Sequence, residues 1–133
     1  MKLLIGLATG GIAAATLLAL AAPTIAQTAP AAAPSAAPPA FAACRACHTV
    51  AKGGRNGIGP NLYGVVGRPA GAVPGFNYSP AMKASKLRWD DRTLDTYLAG
   101  PAKLVPGTRM PIATPDAAKR ATIIAYLKAE GAK

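Results

Sequence analysis

The chain has 133 residues, enough for one modest domain, with 15 basic and five acidic side chains and a formal net charge of +10. Hydrophobic residues make up 51% of it, but much of that is alanine and aromatics are only 5%, so the core is thin and calls for a staple or a buried cofactor. The basic excess suits an acidic protein, an acidic membrane or nucleic acid; without zinc-finger spacing or a basic stripe interleaved with aromatics, nucleic acid has no further support.

Lys2 precedes an uncharged, Ala/Gly-rich apolar run from Leu3 to Ala22, broken by Pro23. Small residues at Thr24 and Ala26 suit a signal peptidase, so residues 1–26 are expected to be a secretory leader cleaved before Gln27. A run of this length also permits an uncleaved membrane anchor, and either reading exports the rest of the chain. Residues 27–39 contain only Gln, Thr, Ala, Pro and Ser, with prolines at 30, 34, 38 and 39. That composition predicts an extended linker or tail. The folded domain is therefore placed at residues 40–133.

Within it, Phe41 to Cys47 reads as a short helix. Val50 to Tyr78 is rich in glycine and proline and reads as loop. Ser79-Pro80 starts a helix ending near Ser85, and Asp90 or Asp91 caps another through Leu98, stopped by Gly100-Pro101. Ala102 to Ala113 reads as loop. Thr114-Pro115-Asp116 opens a last helix that ends near Gly131, with Ala117, Ala121, Ile124 and Leu127 on one face. No hairpin signal or internal repeat occurs, so the expected fold is all-α, short helices joined by long loops.

The two cysteines and the single histidine stand together as Cys44-Arg45-Ala46-Cys47-His48. A disulfide across two residues closes almost no loop and stabilises little. Cys-x-x-Cys-His is the spacing for covalent haem attachment. On one helical turn the two thiols reach two vinyl groups along one edge of the porphyrin, and the next residue, His48, can offer its imidazole to the iron. A thioredoxin-type pair shares Cys-x-x-Cys but belongs to a strand-rich α/β pattern. A zinc site needs a fourth ligand. For the sixth iron ligand the candidates are Met82 and Met110. Met82 fits core packing in a short helix. Met110 lies between Pro106-Gly107 and Pro111, flanks that suit fixing one side chain.

From Cys44 to about Lys128 the chain resembles the class I c-type cytochromes of mitochondria and bacterial periplasms. The resemblance is carried by Cys44-Arg-Ala-Cys-His-Thr-Val, Gly59-Pro-Asn-Leu-Tyr-Gly-Val-Val-Gly-Arg68, Pro74-Gly-Phe-Asn-Tyr78, Trp89 to Leu98, Pro106-Gly-Thr-Arg-Met110 and Ile124-Ala-Tyr-Leu-Lys128. It implies the small cytochrome c fold around one covalent haem c, with Cys44 and Cys47 as attachment points and His48 and Met110 as iron ligands. It further implies that the Pro60 carbonyl takes the second ring N–H of His48. Arg68, Tyr78, Ser79 and Trp89 match positions that serve the haem propionates, and Tyr97 and Thr108 match polar groups near the methionine sulfur. Leu62, Leu94, Leu98, Ile112 and Leu127 become haem or core walls. Met82 stands where the family commonly has asparagine, and Ile112 where an aromatic is frequent. Phe41 and Ala40 are expected against Tyr126.

The expected function is one-electron transfer, not catalysis. Lys52, Arg55, Lys103, Arg109, Lys119 and Arg120 are expected to rim the haem edge and steer acidic redox partners. The partners implied are a quinol-oxidising complex, and a terminal oxidase or photosynthetic centre. A monomer in the bacterial periplasm, soluble or tethered to the inner membrane, follows from the same reading. The rival is a haem peroxidase or gas sensor with an open sixth position.

Overall fold

A computed structural model describes residues 36–133 of the protein. The leader expected at residues 1–26, and residues 27–35 of the linker expected over 27–39, lie outside the described residues. The rest is built from short helical pieces: 3-10 turns at Pro39–Phe41 and Cys44–Ala46, then helices α1 (Pro80–Ala84), α2 (Asp91–Ala99), α3 (Pro101–Leu104) and α4 (Ala117–Gly131). Among the described residues there is no strand, only one isolated antiparallel bridge between Pro69 and Arg88.

Three expectations about local structure are corrected. The helix expected over Phe41 to Cys47 is two separate 3-10 turns. Pro39 presets the dihedrals of the first, but neither turn runs past three residues, too short to propagate as α-helix. The loop expected from Ala102 instead begins inside α3. Pro101 ends α2, yet its fixed φ and missing N–H also suit the first helical position, and the Lys103 and Leu104 N–H groups close back on Gly100 O at 3.0 and 3.2 Å. On α4, Ala117 and Ala121 are exposed, while Ile123, Ile124, Tyr126, Leu127 and Glu130 are buried. The first turns rest on polar contacts, the Asp116 cap and Arg120, so the apolar stripe starts only at Ile123.

The capping expectations hold. Ser79 Oγ accepts from the Met82 N–H, Asp90 from Thr93 and Asp116 from Lys119, each opening its helix. Helix α4 packs on α2 and on the first 3-10 turn. There, Phe41 and Tyr126 rings meet with centroids 4.9 Å apart, and Phe41 is fully buried. Ala37 and Ala40 pack against the same cluster. Contact between the start of the domain and its last helix therefore leaves the loops free to wall a cavity.

Candidate functional site

A cavity of about 270 Å³ opens among the loops, lined mainly by apolar side chains. Leu62, Leu94, Leu98, Ile123 and Leu127 form its deep walls, and Ile58 and Ile112, both largely exposed, stand at its mouth. Every site residue singled out in the sequence lines it: Cys44, Cys47, His48, Pro60, Arg68, Tyr78, Ser79, Trp89, Tyr97, Thr108 and Met110.

The histidine side is built from the 3-10 turn Cys44–Ala46. His48 N–H and Cys47 N–H both donate to Cys44 O, at 2.9 and 3.1 Å, which turns both thiols and the imidazole to one side. Both cysteine side chains are half-buried. Burial pushes the Cys44 thiol above its ordinary pKa, against a smaller opposing effect of a backbone hydrogen bond. His48 Nδ1 lies 2.7 Å from Pro60 O. A carbonyl can only accept, so Nδ1 carries the hydrogen and Nε2 keeps its lone pair for a metal.

Two residues with no role read from the sequence complete this side. Asn61 is buried; its Nδ2 donates to Thr49 Oγ1 at 2.7 Å and Ala51 O at 3.0 Å, and its Oδ1 accepts from the Tyr63 N–H at 2.8 Å. It fixes the loop that presents the Pro60 carbonyl. Gly59 lies flat against the imidazole: a Cβ there would sit 2.6 Å from His48 Nδ1 and 2.8 Å from Nε2. Both lie in the Gly59-Pro-Asn-Leu segment, so the signal was present, but the required approach distance is a property of the folded loop.

On the methionine side, Tyr97 Oη and Thr108 Oγ1 are 2.7 Å apart, and Thr108 Oγ1 also accepts from the Met110 N–H at 3.3 Å. Burial raises the Tyr97 pKa, keeping the phenol neutral. Trp89 packs beside it, ring centroids 5.0 Å apart. Met82 is buried within α1 and lines the cavity as well.

The polar end brings Arg68, Tyr78, Ser79 and Trp89 onto one cavity. Arg68 is braced, with Nη1 donating to Tyr63 O at 2.9 Å and Nη2 to Asn61 O at 3.0 Å. Burial lowers its pKa and raises that of Tyr78, which the Arg68 charge in turn holds lower. Ser79 Oγ is committed as acceptor to the α1 cap, leaving its hydrogen free to donate.

Of the six basic residues expected at the rim, the structure places one on the cavity and one away from solvent. Arg120 is not a docking charge: its side chain is only 11% exposed and is spent on Asp95 and the Thr114 and Pro115 carbonyls, because it closes the start of α4. Arg109 does line the cavity, with Nη1 on Asn77 O. Lys52, Arg55, Lys103 and Lys119 are exposed.

Two thiols, one imidazole with a free Nε2 and one thioether on an apolar cavity suit a flat, covalently attached iron porphyrin. Arg68 and the Tyr78 and Ser79 hydroxyls at one end suit its carboxylates. The donor set therefore fits a haem c.

No protein-family model matches the chain. It is 47% identical over 97 residues to cytochrome c2 of Rhodoblastus acidophilus, covering 70% of this chain and 91% of that one. It is 49% identical over 91 residues to cytochrome c2 iso-2 of Magnetospirillum fulvum, covering 68% and 94%. Among solved structures it is similar to cytochrome cH from Methylobacterium extorquens, at 48% identity and a TM-score of 0.64, over 68% of this chain and 91% of that one.

Proposed function

Because this chain belongs to the class I c-type cytochromes, one-electron carriers built on a covalent haem c, we propose that Cys44 and Cys47 attach that haem and that His48 and Met110 are its iron ligands. The observation that carries the assignment is the 2.7 Å contact between His48 Nδ1 and Pro60 O, which leaves Nε2 as a lone-pair donor on the wall of a cavity that Met110 shares. When bound, the haem iron takes up and releases one electron. The chain's own residues do the rest. Pro60 holds the imidazole tautomer, Tyr97 and Thr108 hold the Met110 backbone, and the apolar walls exclude water, so both ligands remain in place through the cycle. Arg68, Tyr78, Ser79 and Trp89 receive the propionates.

The partners in this reading are acidic redox proteins: a quinol-oxidising complex as donor, and a terminal oxidase or photosynthetic centre as acceptor. Charge bookkeeping supports it. Asp91, Asp95 and Glu130 pair with Lys128, Arg120 and Lys133, while Asp90 and Asp116 cap helices. These are all five acids of the chain, against 15 lysines and arginines, so most exposed basic side chains carry uncompensated charge. The leader at residues 1–26 sends the chain to the periplasm, where it is a monomer, free or tethered through that segment. No helix among the described residues is long and apolar enough to cross a membrane.

Met110→Ala tests the ligand set. The oxidised variant loses its methionine-dependent absorption and its potential falls, whereas Met82→Leu retains both. Loss of the band in Met82→Leu, with Met110→Ala unaffected, would exchange the two assignments.

A further inference from the structure

Helix α2 grips the Met110 segment at both ends. The near end is the Tyr97–Thr108–Met110 chain of hydrogen bonds. At the far end the Thr114 N–H donates to Leu98 O at 2.7 Å. Arg120 of α4 completes that end. Its Nη1 donates to Thr114 O at 3.0 Å and to Pro115 O at 2.7 Å. Its Nε and Nη2 reach the two carboxylate oxygens of Asp95, at 2.7 and 3.4 Å. Asp95 lies on α2 two residues before Tyr97. Between the two grips, Pro111, Ile112 and Ala113 are exposed.

We propose that Arg120, held by Asp95, is a positioning residue that latches the far end of this segment and thereby sets how firmly Met110 stays on the iron. The inference rests on Met110 being the ligand. A segment fixed at one end only gains conformations in which its methionine has left, and fixing the second end removes them. The geometry suits a latch rather than a surface ion pair. The Arg120 side chain is 11% exposed, though Asp95 is 44% exposed, and it meets both carboxylate oxygens, whereas Lys128 and Asp91, which also join α4 to α2, are 51% and 59% exposed. The planar guanidinium serves one carboxylate and two carbonyls together, which a lysine ammonium at that place cannot match.

The test is imidazole binding to the oxidised holoprotein, read by loss of the methionine-dependent absorption. Asp95→Asn keeps the Arg120 bonds to the two carbonyls and is expected to fold. It should bind imidazole about fivefold more tightly, because apparent affinity scales with the fraction of molecules whose methionine is released. Arg120→Lys should shift further in the same direction. Tyr126→Leu weakens the packing of α4 on Phe41, away from the latch; it should lower the denaturant midpoint and leave imidazole affinity unchanged. Wild-type imidazole affinity in Asp95→Asn overturns the latch, and so does an equal shift in Tyr126→Leu at equal loss of stability. Met110→Ala separates the two levels. If the band survives there, the ligand reading fails and the latch with it; if the band is lost there while Asp95→Asn behaves as wild type, the latch alone fails.

Discussion

The loop that presents His48 and the segment that presents Met110 wall the same cavity, but they are held in different ways. From Thr49 to Arg68 the chain is pinned at close intervals: Gly59 N–H on Cys47 O, Leu62 N–H on Thr49 O, the Asn61 side chain on three groups, and Arg68 on two carbonyls. Met110 sits instead on a span held at its ends from α2. The histidine geometry is thus built into a short stretch of sequence beside His48. The methionine geometry depends on a helix that begins nearly twenty residues earlier and on an arginine ten residues later. A dense local network resists displacement, while an end-held span can move its methionine without unfolding the domain.

Breaking the histidine side should have the largest effect. In Gly59→Ala the new methyl must displace the imidazole, since it would lie 2.6 Å from Nδ1 and 2.8 Å from Nε2. Overpacking and loss of the Pro60 bond together cost more than about 3 kcal/mol, and holoprotein yield should collapse, as measured by covalent haem per chain. A normal yield with unchanged spectra would mean the loop yields more easily than its hydrogen bonds imply.

Thr108→Val acts on the methionine side. It removes the partner of the Tyr97 phenol and the acceptor of the Met110 N–H, and should cost about 1–3 kcal/mol in a denaturant titration. Covalent haem should stay at the wild-type level, and exogenous ligands should bind more readily. A variant that failed to retain haem would erase the distinction between the two sides.

The smallest effect lies at the helix caps, outside the cavity. Hydrogen bonds from the Thr93 and Lys119 N–H groups hold the Asp90 and Asp116 carboxyls below their ordinary pKa of 3.8. Both groups therefore release protons more readily folded than unfolded. Their contribution is fully present above that ordinary value and is lost as pH falls through the lower folded one. Asp90→Asn with Asp116→Asn keeps a neutral cap at each helix and should flatten stability against pH below about 3.8 while leaving neutral-pH stability little changed. An undiminished acid dependence in that variant would place it on other carboxyls.

The difference between the two sides also marks what could be read from the sequence. Cys44, Cys47 and His48 lie within five residues, and haem chemistry dictates that spacing, so the proposed attachment site could be read without a fold. Asp90, Asp116 and Ser79 were legible as helix starts because capping is local. Arg120 looked like one more surface charge, since nothing nearby in sequence shows that Asp95 comes within 2.7 Å of it. Of the face expected on α4, Ile124 and Leu127 are buried but Ala117 and Ala121 are exposed, because alanine is apolar at helical spacing yet buries little; Ile123 and Tyr126 join the contact. Gly100-Pro101 read as a stop because the same proline can close one helix and open the next.

The central claim is that both axial ligands stay on the iron in both oxidation states, as a carrier requires. Carbon monoxide added to the reduced protein at neutral pH tests it directly. The absorption spectrum should stay unchanged in the unmodified chain and shift in Met110→Ala. Ready binding by the unmodified chain would contradict the account and point to an open or labile sixth position.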